Sequence, residues 1–106
     1  MTEVRFYSFK GKLTGFEISG HSGYSDEGSD IVCAAISSAA YMTINTVTDI
    51  IGVEAQAEVD EAYISFSVAV KDADRISDIL KGFEMHVKLL ADDYKDFIVC
   101  KKENIH

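Results

Sequence analysis

Two apolar periodicities alternate along this chain, and their order constrains the fold more than any other feature. Residues 3–9, Glu-Val-Arg-Phe-Tyr-Ser-Phe, are rich in β formers, Lys10-Gly11-Lys12 supplies a turn, and residues 13–19 read as a second strand. The period then lengthens. Ile36, Ala39, Ala40, Thr43 and Val47 recur at helical spacing, which predicts a helix over 31–51 with Asp30 as N-cap and Gly52 as C-cap. The small residues Ala34, Ala35, Ser37, Ser38, Ala39 and Ala40 are expected to let that helix lie close against a sheet.

Alternation returns at Val53, Ala55, Ala57 and Val59, with Glu54, Gln56, Glu58 and Asp60 between them, as in a strand with one wet face. Ile64, Phe66, Val68 and Val70 repeat the pattern after a turn at Asp60-Glu61. Ile76, Ile79, Leu80, Phe83, Val87 and Leu90 then mark an amphipathic helix within 72–93, and Asp96 to Lys102 carries a short closing strand. The order is ββαββαβ. It predicts an α+β fold, one domain over residues 1–106, with two helices packed on one side of a mostly antiparallel sheet.

Size and charge narrow the function. A chain of 106 residues holds one core, and the absence of proline leaves no obvious linker. The formal charge of −8, with lysines scattered from Lys10 to Lys102, argues against a nucleic-acid partner, which needs a basic stripe. It leaves an acidic surface that suits a cationic partner or serves solubility alone. The stretch from Ile31 to Ile51 is interrupted by serines, threonines, Asn45 and Asp49, which argues against a membrane span. The first residues alternate charged and aromatic side chains with no apolar leader, so the cytoplasm is the expected compartment. There, Cys33 and Cys100 are expected as free thiols.

Cys33 falls within a turn of Asp30, where free helix N–H groups and the helix dipole stabilise a thiolate. The same N–H groups could bind the oxyanion that its attack creates. His21, at the strand-to-loop junction between Gly20 and Gly23, is the histidine placed to serve as base; His86 is mid-helix and His106 terminal. The pair falls short of the three or four ligands of zinc, and Cys100 reads as structural. Asp30 has two competing roles, capping the helix or orienting His21. Capping is the larger expectation, because a carboxylate beside Cys33 opposes the thiolate.

Gly20-His21-Ser22-Gly23-Tyr24, then Gly28, then Asp30-Ile31-Val32-Cys33-Ala34-Ala35-Ile36-Ser37, closely resembles the ribosomal-processing cysteine protease family. The resemblance runs the length of the chain. It implies a cytoplasmic, homodimeric endopeptidase without a cofactor, which removes the N-terminal extension of a large-subunit ribosomal protein after a pair of phenylalanines. Cys33 then matches the nucleophile and His21 the base, Asp30 and Ser37 match supporting residues, and Ser22, Gly23, Tyr24 and Gly28 belong to a segment bordering the substrate groove. Tyr24, Tyr41 and Met42 are candidates for the aromatic-accepting pocket. Two alternatives are a non-catalytic acidic module binding a basic ribosomal partner and a thiol hydrolase acting on metabolites.

Overall fold

A computed structural model describes residues 1–20 and 27–105. The elements are β1 (Thr2–Phe9), β2 (Lys12–Ser19), α1 (Glu27–Asn45), β3 (Ala55–Asp60), β4 (Tyr63–Val68), α2 (Ser77–Asp93) and β5 (Ile98–Asn104), in the expected ββαββαβ order. They form one five-stranded sheet ordered β3-β4-β2-β1-β5. The pairs β1–β2, β2–β4 and β3–β4 are antiparallel, while β5 returns parallel to β1 after the α2 crossover. The result is an α+β fold on a mixed sheet.

Register stacks the aromatics. Phe6 lies opposite Phe16, and Phe16 opposite Phe66, all on the helix-covered face. Phe83 of α2 comes down between them, its ring centroid 5.6 Å from that of Phe6 and 4.7 Å from that of Phe16. Val32, Ile36, Ala40, Ile44 and Val47 from the first helical region join Leu80 and Val87 of α2 in the same core. The other face carries polar contacts instead. Tyr7 and Tyr63 both donate to Glu17 Oε2, at 3.2 and 3.1 Å, and burial together with that carboxylate pushes the Tyr7 phenol up, keeping it a donor.

Three boundaries and the burial of one strand depart from expectation. The first helix starts at Glu27, ahead of Asp30, so Asp30 is not its N-cap. By backbone, Glu27 to Asp30 form its first turn, across the poor helix former Gly28. Its end widens into a π-helical turn, Thr46–Ile51, where the threonines bond back to the chain. Thr43, Thr46 and Thr48 donate to the carbonyls of Ala39, Met42 and Ile44 at 2.8, 2.7 and 3.1 Å, a habit that bends helices. Gly52 closes it as expected, at φ 82°, its N–H on the Val47 carbonyl. Val70–Ile76 is a 3-10 turn rather than the start of α2. Finally, β3 is a sheet edge beyond the reach of the helices, which leaves Ala57 and Val59 exposed despite their alternation.

The outward side of α1 is also more apolar than its serines and threonines suggest. By length and composition Ile31–Ile51 is as apolar as a membrane-crossing helix, yet Val32, Ile36, Ala40, Ile44 and Val47 of this stretch belong to the core. Ala34 and Ser38 face solvent rather than the sheet, whereas Ala40 is buried.

The aromatic stack sets a stability prediction. Phe83→Ala is expected to lower the unfolding free energy by about 3–5 kcal/mol in urea titration, whereas Met85→Ala on the exposed side of α2 should change it by less than about 0.5 kcal/mol. Equal effects would contradict this account of the core.

Candidate active site

Cys33 sits in the second turn of α1, not in the first turn as the sequence suggested. At that depth its own N–H is engaged by the carbonyl four residues earlier, and the dipole field has faded. The helix terminus therefore neither activates this thiol through its first free amides nor offers the Cys33 amide to an oxyanion. What meets the thiol is a residue with no signature in the sequence: Thr2 Oγ1 lies 3.1 Å from Cys33 Sγ. Thr2 is buried at the start of β1, and its N–H donates to the Phe97 carbonyl at 2.8 Å.

Cys33 is half-buried and opens on a cavity of about 80 Å³. Ser37 and Tyr41 line the same cavity, each one turn further along the helix, so the stripe Cys33-Ser37-Tyr41 faces it. Thr2, Ile18 and Gly20 form the sheet wall, and the β3–β4 turn from Asp60 to Ile64 forms the far side. Met42, by contrast, does not line it and is exposed. Two grooves are far larger, about 530 Å³ near Gly52 and Arg75 and about 510 Å³ on the open sheet face, but neither contains Cys33. Volume alone would have pointed away from the thiol.

Gly20 ends β2 at the rim. Its φ of 79° is left-handed, and a Cβ there would stand 2.8 Å from the Met1 carbonyl oxygen, so only glycine fits without strain. Its N–H reaches the Ala62 carbonyl at 3.2 Å, tying the end of β2 to the β3–β4 turn. The chain leaves the sheet here toward His21, which with Ser22, Gly23 and Tyr24 lies outside the described residues. Gly28 and Asp30 belong to the first turn of α1 by backbone. Among the described residues, no cluster of three His, Cys, Asp or Glu could hold a metal ion.

The model of the cysteine protease Prp family matches residues 1–99. This chain belongs to that family. It is therefore a cysteine protease, which sets aside the non-catalytic module. The ribosomal processing cysteine protease Prp of Bacillus subtilis is 27% identical over 93 residues, 82% of each chain. In fold, the chain resembles the ribosomal processing protease Prp of S. aureus crystallised with a substrate peptide, with a TM-score of 0.88, 19% identity, and 97% and 100% of the two chains covered. SMU.848 from Streptococcus mutans gives the same TM-score at 23% identity, with 99% of each chain covered. A Prp protease needs a reactive cysteine, and this chain has two thiols to choose from.

Cys100 is the poorer choice. It lies in β5, half-buried against the core, and burial pushes its thiol up, only partly offset by Lys88. A raised thiol stays protonated to higher pH and reacts more slowly near neutrality. Iodoacetamide at neutral pH is accordingly expected to alkylate Cys33 at least about tenfold faster than Cys100, as followed by peptide mass spectrometry. Preferential labelling of Cys100 would contradict the assignment.

Proposed function

We propose that this Prp-family chain is an endopeptidase that removes an N-terminal extension from a large-subunit ribosomal protein, with Cys33 as nucleophile and His21 as base. The observation that carries the reading is Cys33 Sγ at a small cavity whose rim is the Gly20 end of β2, one residue before His21. His21 takes the thiol proton as Sγ adds to the scissile carbonyl carbon. It returns that proton to the departing amine as the C–N bond breaks, leaving a thioester that water then hydrolyses. Ser37, one turn beyond Cys33, supports the nucleophile's face of the helix, and Asp30 supports the dyad from the first turn. Ser22, Gly23, Tyr24 and Gly28 border the groove on the substrate side.

The name of the Bacillus subtilis relative supports ribosomal processing as the task. The charge of −8 supports a basic substrate. Tyr41 on the cavity wall supports an apolar subsite for the phenylalanines that precede the cut. The test is a peptide carrying such an extension. Cys33→Ala and His21→Ala should each lower kcat/KM by more than about a thousandfold with the circular dichroism unchanged. Replacing the phenylalanines by alanine should cost more than changes on the leaving side. Parent-level turnover by Cys33→Ala would reject the reading.

The proposal extends to a cytoplasmic homodimer, with the whole chain as one protease domain. Ile31, Met42 and Ile50 stand 63%, 59% and 79% exposed along the first helical region, and from Ile31 to Thr48 there is no charged residue. An uncharged apolar face of this kind is characteristic of an interface, and a second copy would cover it. Sedimentation equilibrium should give twice 11.7 kDa. Met42→Lys should shift it toward the monomer without unfolding, and a parent that sediments as a monomer would overturn the dimer.

A further inference from the structure

We propose that Thr2 is a positioning residue for Cys33, its hydroxyl holding Sγ at the cavity and donating a hydrogen bond to the thiolate once it forms. The inference rests on Cys33 as the nucleophile. The contact is 3.1 Å, and either atom can donate in the neutral pair. Ionisation removes that choice. The thiolate can only accept, so the Thr2 hydroxyl must donate, and a hydrogen bond to a charged acceptor is roughly twice as strong as a neutral one. The interaction therefore favours the form of Cys33 that attacks.

Three observations make Thr2 suited to this. It is 2% exposed, so its hydroxyl is largely shielded from bulk water. Among the described residues, Cys33 is the hydroxyl's one hydrogen-bond partner. Its backbone is fixed on the β5 side, by pairing with Ile98 and by the N–H bond to the Phe97 carbonyl at 2.8 Å.

Among the described residues, the surrounding charges do not supply the same stabilisation. Asp60 and Glu61 on the β3–β4 turn line the cavity and bring no positive charge to it. Tyr41 of α1 and Tyr63 of β4 also line it, but neither bonds to Sγ among the described residues. With Cys33 in the second turn of α1, the helix terminus contributes little. A neutral donor carried on a rigid strand fills that gap.

The test is the pH profile of Cys33 alkylation by iodoacetamide, read peptide by peptide, in the parent, Thr2→Val, Thr2→Ala and Thr2→Ser. Valine keeps the branched shape and deletes the hydroxyl, alanine is a second hydroxyl-free variant, and serine keeps the donor. Without the hydroxyl, the pH of half-maximal rate should rise by about one unit, so the rate on the acid side falls about tenfold. On the alkaline plateau the rate should instead rise about threefold, because a more basic thiolate is the better nucleophile. The two profiles cross, which loss of packing alone would not produce, and Thr2→Ser should restore the parent profile. Superimposed profiles for the parent and any folded hydroxyl-free variant would overturn the proposal. So would Thr2→Ser behaving like Thr2→Val. If the protein cleaves no ribosomal extension, the processing function falls while the alkylation profile still decides on Thr2.

Discussion

The pairing of β1 on both sides is the constraint from which the rest of this molecule follows. β1 lies between β2 and β5, antiparallel to one and parallel to the other, and it is bolted to the helices by the Phe6, Phe16 and Phe83 rings. Each ring buries a large apolar area, and the tilted and edge-on geometries add to that burial. Because β1 cannot shift without breaking two ladders, Thr2 at its start is a fixed wall against which α1 sets Cys33. Rigidity in the sheet and the setting of the thiol on the helix are thus connected through this side-chain contact.

The apolar face at the outside of α1 is a second consequence of how the layers share work. The inward stripe of Val32, Ile36, Ala40 and Val47 is committed to the core, and Cys33, Ser37 and Tyr41 to the cavity. The remaining face, including Ile31 and Met42, is exposed and has no partner among the described residues. One helix therefore serves core, cavity and surface at once, and from Ile31 to Thr48 it carries no charge.

Much of this was legible in the sequence where the signal is local. The period-two alternation located both hairpins, the 3.6-residue spacing located both helices, and Gly52 marked its turn, because each depends on neighbours a few residues apart. The Gly20-His21 and Asp30 to Ser37 segments carried the family likeness. What escaped was non-local or a balance of small terms. Nothing near Thr2 announces that it will meet Cys33, since the contact depends on the whole sheet being assembled. The first helix starts ahead of Asp30 and runs across Gly28, a former poorer than alanine by about 1 kcal/mol, which pattern reading takes as loop. Ala57 and Val59 alternate like buried residues, yet strand order, which the pattern does not encode, puts them on an edge.

The parallel return of β5 also has a bearing on how the chain is made. Ser8 and Asn104 are joined by a 2.7 Å hydrogen bond although 96 positions separate them. Such long-range pairing raises contact order and slows folding. While a nascent chain is still lengthening, β1 has a partner on one side only, and its other edge is an open row of N–H and C=O groups. The hydrogen bond from Thr2 to Phe97 cannot form until the segment carrying Phe97 has been synthesised. The thiol's mature surroundings are thus completed late in synthesis, so a partly made chain holds Cys33 without the anchored strand against which it is set.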